Sequence, residues 1–357
     1  MHSLKIVELN RWPRVIHLST SLGIGVLALL LVLLALGSRQ IYANDAISAT
    51  EKTVRYNNSG PLVGWDSQAM GSPIVIQDGA TFKMWYDGLD TFGVRRIGYA
   101  VSGNGLTWTK YISNPVLTGT PGEWDEGSVN EPCVIKDGST LKIWYSHDNF
   151  EIGYATSSDG ITWTKLLTGP ILQPGTAGSW DESSVSDPFV IKANGTYTMW
   201  YEASSSIGCA TSPDGILWTK CAENPVLEPT PASWDEDRVS DAAVVFDGET
   251  YHMWYQGIDF DGPPTRIGYA TSTNSITWTK YISNPVLSRT PGEWDDGHLG
   301  LGNVITSDGF YRMWYMANQQ FGYATSTNGI SWTKYAGNPI LIPGTLYQIF
   351  LPVVLKN

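Results

Sequence analysis

The chain has 357 residues, with 34 acidic against 22 basic side chains, a formal net charge of -12, 37 Gly, 16 Trp and 3 Cys. An acidic chain with no Lys/Arg cluster repels phosphate backbones, which excludes nucleic acid as a partner. Three Cys exclude a disulfide-dense miniature fold and a multi-Cys zinc site.

At the N-terminus, Lys5, Arg11 and Arg14 precede a run from Leu18 to Gly37 that holds no charged residue. Such a run is long enough to span a bilayer. Cleavage after Ala43 would make the same segment a secretory signal. Residues 1–43 are therefore read as a hydrophobic helix that is either signal peptide or transmembrane anchor. Residues 44–63 read as a linker with a possible ring-closing strand. The remainder is expected to be secreted, or extracytoplasmic and membrane-anchored, touching the membrane only through an uncleaved N-terminal segment.

The body repeats one unit five times. A Trp-Asp pair opens each unit at Trp65, Trp124, Trp180, Trp234 and Trp294, with spacings of 54 to 60 residues. A Trp-Tyr pair follows at Trp85, Trp144, Trp200, Trp254 and Trp314, then a Gly-Tyr-Ala type segment, then Trp-Thr-Lys at Trp108, Trp163, Trp218, Trp278 and Trp332. Periods near this size indicate propeller blades. In the first unit, Pro73 to Gln77 reads as strand A, Thr81 to Tyr86 as B, Arg96 to Ser102 as C and Leu106 to Lys110 as D. Asp78-Gly79 and Asn104-Gly105 supply the positive φ of tight turns. The fold class is all-β: a five-bladed β-propeller of four-stranded antiparallel blades over 64–342. The blades cover about 64–117, 118–172, 173–227, 228–287 and 288–342, and 343–357 forms a C-terminal tail. A solenoid is disfavoured, because its repeats are usually shorter.

All Trp except Trp12 occupy three repeat positions, so they are expected to fill the space between blades rather than to stack on ligands. The Asp of each opening pair (Asp66, Asp125, Asp181, Asp235, Asp295) likewise reads as structural. Tyr99 and Tyr111 stand 12 residues apart across one C–D turn, and blade 3 replaces both equivalents with Cys209 and Cys221. Facing positions on antiparallel strands lie near bridging distance, so these two are expected to form a disulfide. Cys133, in an apolar strand, is expected to be a buried free thiol.

Invariant positions build a scaffold, so a site must come from positions where blades differ. Seven residues after each opening Trp stand Ser72, Glu131, Asp187, Asp241 and Leu301, a register that begins strand A near the axis. The residues after the Trp-Tyr pairs include Asp87, Glu202 and Gln256. Those before strand C include Arg96 and Arg266, and His147 and His298 fall nearby. Convergent carboxylates suit glycosidic cleavage, which needs one protonated carboxyl and one ionised one. The same acids could instead cap strand ends or hold Ca2+ in the central pore. The metal, if any, is unknown from sequence, and no cofactor is required.

The repeat region resembles the five-bladed propeller glycosidases grouped as glycoside hydrolase families 32, 43, 62, 68 and 130, which include arabinanase-, levansucrase- and invertase-like enzymes. The resemblance rests on Ser186-Asp187-Pro188, Tyr251-His252-Met253-Trp254-Tyr255-Gln256 and Asn130-Glu131-Pro132. It implies Glu131 as general acid, Asp187 as the residue that tunes and orients, and Asp241 as base or nucleophile. The register set Asp87, Arg96, His147, Glu202, Gln256, Arg266 and His298 is expected to contact the sugar. Blade 1 carries Ser72 where those families place their first catalytic Asp, and the acids run Glu, Asp, Asp in reverse order. Either the site is rebuilt further round the ring or catalysis has been lost. Trp108 to Leu117 and Trp278 to Leu287 are identical, and such uniform blades favour a non-catalytic glycan-binding or cell-surface propeller. The expected partner in both cases is a polysaccharide or oligosaccharide, bound by a monomer.

Overall fold

The computed structural model describes residues 64–344 except 263, together with the backbone of Ile41–Tyr42 and Arg55–Tyr56. It contains five four-stranded antiparallel sheets, each built from four consecutive strands. The innermost strands are Ala69–Asp78, Val129–Asp137, Ser186–Ala193, Arg238–Phe246 and Leu299–Ser307. The five-bladed propeller expected from the repeats is therefore the fold. The predicted N-terminal helix and C-terminal tail lie outside the described residues. Among the described residues, no helix is long and apolar enough to cross a membrane. In the expected linker, Arg55–Tyr56 pairs with Ile41–Tyr42, and every blade already holds four strands of its own.

Strand D is shorter than its sequence suggested, Thr109–Lys110 in blade 1. The turn before it explains why. Asn104 Oδ1 accepts the N–H groups of Leu106 and Thr107, both at 2.9 Å, and so diverts them from the ladder. Ser102 Oγ accepts the N–H of Gly105 at 2.9 Å. The turn then presents the Gly105 carbonyl to two indoles: Trp108 of its own blade at 3.1 Å and Trp314 of blade 5 at 3.0 Å.

That double acceptance recurs around the ring. Trp85, Trp144, Trp200 and Trp254 donate to the carbonyls of Gly160, Gly215, Ser275 and Gly329 in the following blade at 2.8, 2.9, 3.2 and 2.7 Å. These five inner Trp side chains are fully buried, and truncating such a ring typically costs about 3–5 kcal/mol. The other Trp of each repeat are buried or half-buried, as their repeat positions implied.

Within each blade, the opening Asp accepts the phenol of the Trp-Tyr pair at 3.0–3.4 Å. It also accepts the Lys of Trp-Thr-Lys: Lys110, Lys220, Lys280 and Lys334 at 2.5–2.6 Å, and Lys165 likewise. The repeated Asp is thus a buried ion-pair anchor. Cys209 and Cys221 form the expected disulfide, with Cα atoms 5.5 Å apart. Cys133 is free and buried, and burial pushes its thiol up to about 12.

Blades 5 and 1 close on each other through side chains. Asn303 Oδ1 accepts the Val75 N–H at 3.1 Å, and its Nδ2 donates to the Val75 carbonyl at 2.9 Å. The equivalent positions are Ile74, Cys133, Phe189 and Ala243, so only the closing blade carries an amide here.

Asn303→Ala would strand two buried backbone groups and is expected to lower stability by about 1–3 kcal/mol in urea unfolding. An effect below a few tenths would show that the seam closes without this amide. Ser275 holds φ of 67° where four blades have Gly. Ser275→Gly relieves that conformation and is expected to raise stability by about 0.5–1 kcal/mol, whereas destabilisation would show that the serine is accommodated without strain.

Candidate active site

The innermost strands of blades 1 to 4 begin with the same β-bulge. Two residues oppose one on the neighbouring strand, between Gly71/Ile74, Asn130/Cys133, Ser186/Phe189 and Ser240/Ala243. The first bulged residue is left-handed in each case: Ser72 (φ 44°), Glu131 (49°), Asp187 (48°) and Asp241 (47°). Glycine is the usual occupant of such a position, and a side chain there costs about 1–3 kcal/mol. Strain repeated at this register aims Glu131, Asp187 and Asp241 inward. With Ser72 and Leu301 they line one cavity, of about 330 Å³ including its mouth, bounded by all five innermost strands. The sequence register thus located the convergent set.

Neighbouring blades tie the acids together. Glu131 Oε2 accepts the Asp187 N–H at 3.2 Å, and Ser146 Oγ accepts the same group at 3.0 Å. Asn130 Nδ2 donates to Glu131 Oε1 at 3.0 Å, and the Leu301 N–H donates to Asp241. No Lys or Arg lines the cavity among the described residues. Each acid keeps some surface toward this small cavity but is enclosed by protein, and burial is the main cause that raises all three. For Glu131, the Ser146 hydrogen bond opposes burial and the Asp87 charge adds to it. Asp187 is raised well above the usual range, with the charges of Glu131 and Asp241 adding to burial. Asp241 is raised to about 7, with Glu131 as the next cause.

Asp87 and Glu202 stand beside this set and are buried. Asp87 is paired with Arg95, and Glu202 with Arg238. Glu202 keeps its Oε2 buried without a hydrogen-bond partner. Carboxylate oxygens of Asp187, Glu202 and Asp241 come within 4.8 Å of one another, an oxygen-only set of the kind hard cations use.

The other expected sugar contacts are engaged elsewhere. Arg96 binds Asp90 at 2.5 Å, and Arg266 lies 5.5 Å over Trp234. Both stand opposite glycines, Gly88 and Gly257, on the strand face turned toward the opening Trp. His147 is buried, with Nε2 3.0 Å from the Glu126 carbonyl oxygen. Exposed His298 accepts the Thr265 N–H at 3.4 Å. Gln256 Oε1 accepts from Ser240 Oγ at 3.4 Å. The arginines that do reach the carboxylates, Arg95 and Arg238, were not singled out from the sequence. Strand alternation carried the signal for Arg95: it pairs with Leu89, two residues from Asp87 and therefore on the same face.

No family model matches the chain. Over 202 residues it is 31% identical to the uncharacterized protein Rv1502 of Mycobacterium tuberculosis, covering 51% of this chain and 65% of that protein. The chain thus spans less than two thirds of that relative. Among solved structures, a glycosyl hydrolase from Bacteroides ovatus superposes with TM-score 0.62 at 17% identity, covering 80% of this chain and 97% of that one. A structure from the GH130 family of mannoside phosphorylases, which contains glycoside hydrolases that target beta-1,2 mannosidic linkages in Candida mannan, gives 0.64 at 15%, covering 82% and 99%. A thermostable family-43 glycoside hydrolase gives 0.57 at 18%, covering 83% and 99%. The chain has the five-bladed fold that these glycoside hydrolases share.

Raised carboxyls bind protons more tightly folded than unfolded. They therefore subtract stability as pH climbs from about 4, the ordinary carboxylate value, through about 7 for Asp241. Asp187→Asn removes one such charge and is expected to raise Tm at pH 8 more than at pH 5. Thermal melts showing equal shifts at both pH values would contradict the buried charge cluster.

Proposed function

We propose that this propeller is a glycoside hydrolase that cleaves oligosaccharide or polysaccharide at the acidic cavity. The observation that carries the reading is the convergence of Glu131, Asp187 and Asp241, on three successive innermost strands, in a cavity lined by no basic side chain. Three enclosed carboxyls, whose nearest guanidiniums Arg95 and Arg238 are paired with Asp87 and Glu202, do not all ionise, so the site holds a proton donor beside an ionised acceptor at neutral pH. That pairing is what glycosidic cleavage requires. The kinship in fold with glycoside hydrolases supports it.

In this reading Glu131 protonates the leaving oxygen. Asp241 acts as base or nucleophile once ionised. Asp187 holds the two in register and tunes them, since its amide binds Glu131 and its carboxyl feels both neighbours. No cofactor enters this chemistry. A Ca2+ ion on Asp187, Glu202 and Asp241 would occupy the carboxylate that serves as base or nucleophile. The protein acts outside the cytoplasm as a monomer, secreted or anchored by residues 1–43. The disulfide fits an oxidising compartment.

Uniform blades favour the second reading, a glycan-binding propeller that uses the same cavity without turnover. Reducing-sugar release over arabinans, fructans, xylans and mannans separates the two. The parent protein is expected to release sugar, and Glu131→Gln or Asp241→Asn to lower kcat by about a hundredfold or more. The pH–rate profile is expected to rise through about 7 as Asp241 ionises. Full activity in either variant would remove the assigned roles, and silence of the parent with retained glycan binding would select the second reading.

A further inference from the structure

Three exposed phenylalanines stand on the face of the ring where the acidic cavity lies. They sit on the loops between the second and third strands of blades 1, 2 and 4: Phe92, Phe150 and Phe260 are 79%, 55% and 73% exposed. Hydrogen bonds tie these loops to the segments that lead into the cavity. The Phe150 carbonyl accepts the Val185 N–H at 3.1 Å, two residues before Asp187. Phe260 N–H donates to Asp237 Oδ2 at 2.6 Å, four residues before Asp241. Arg95, three residues after Phe92, donates its N–H to Ser128 Oγ at 3.1 Å, three residues before Glu131.

Backbone constraints hold the loops that carry Phe92 and Phe150. Asp90, only 4% exposed, accepts the N–H groups of Phe92 at 2.8 Å and Val94 at 3.0 Å. Phe150 adopts φ of 59°, a strained conformation for a bulky aromatic, with its N–H bound to the His147 carbonyl at 2.9 Å. The matching loops of blades 3 and 5 are the short polar turns Ser204-Ser205 and Asn318-Gln319. Repeat architecture therefore does not account for the aromatics. Apolar surface held rigidly beside a cavity marks a binding surface.

Resting on the function proposed above, we propose that Phe92, Phe150 and Phe260 form an aromatic rim that binds a neutral glycan chain, several sugars long, across the cavity mouth. A sugar ring offers a C–H face to an aromatic ring and hydroxyls to carboxylates, and this surface places both together. The charge selects the glycan. Asp148, Asp259 and Asp261 flank the rings, Asp90 being paired with Arg96, and the chain carries a net charge of -12, so polyuronates and anionic lipid surfaces are disfavoured. Aromatics on three different blades extend the contact beyond the sugar held in the cavity.

Calorimetry on the full-length protein tests this with neutral oligosaccharides from mannan, xylan, arabinan and fructan, their monosaccharides, polygalacturonate, and phosphatidylglycerol vesicles. Phe92→Ala, Phe150→Asn and Phe260→Ala, with thermal melts as the folding control, are each expected to weaken oligosaccharide binding about three- to tenfold. Monosaccharide affinity is expected to hold. Unchanged oligosaccharide affinity in the triple variant overturns the rim, as does tighter binding to polygalacturonate or vesicles than to neutral glycans. Sugar release that persists alongside either result leaves the hydrolase reading standing, whereas a parent that neither releases nor binds glycan removes both.

Discussion

The ring depends on one contact made five times: a buried indole from one blade donating to a turn carbonyl of the next. Propeller blades are twisted sheets with no hydrogen-bonded ladder between them, so apart from single backbone bonds at the loops their mutual orientation comes from side chains. Each accepting carbonyl takes a second indole from its own blade. One peptide oxygen thus satisfies two buried N–H groups that would otherwise be unpaired. Geometry at that point explains the sequence around it. The Ser-x-Asn/Asp turn rotates the carbonyl toward the interface, and a small residue follows, Gly in four blades and Ser275 in blade 4. A Cβ added at Gly160 would stand 2.6 Å from Trp85.

The fold was legible because this contact and the Asp–Tyr–Lys anchor recur as spelled-out residues. A motif written five times gives period, blade count and turn positions together. It also made the exception informative, since Cys209 and Cys221 replace two residues that face each other in other blades. Asn303 was less visible. Its meaning lies in a seam between residues 228 positions apart, and no pattern within one repeat reports on it.

The site was legible to the extent that it follows the register. Counting from each opening Trp found Glu131, Asp187 and Asp241, because the same bulge places them in every blade concerned. Reading failed where side-chain direction mattered more than position. Arg96 and Arg266 are near the mouth in sequence, but period-two alternation turns them toward the opening Trp. The arginines that reach carboxylates are Arg95, the neighbour of Arg96 across the pleat, and Arg238, on the innermost strand of blade 4. His147 and His298 were placed by proximity alone, and the loops use them to satisfy backbone groups.

A scaffold this uniform can carry a site only by concentrating its departures at one end. The bulge at the start of the innermost strand is common to four blades, yet in blade 1 an uncharged residue, Ser72, occupies it. Blade 5 drops the left-handed residue and places Leu301 and Gly302 at the same level. The carboxylates therefore fill one side of the cavity and face an uncharged wall. That asymmetry raises the acids more than an evenly mixed ring would, because burial there is opposed by few donors and only by the more distant Arg95 and Arg238. The anchors beneath supply the rigidity that such a cluster needs. With five buried Asp side chains paired to Lys and five inter-blade indoles holding the strands, the like charges are held together, and their mutual repulsion is expressed as retained protons.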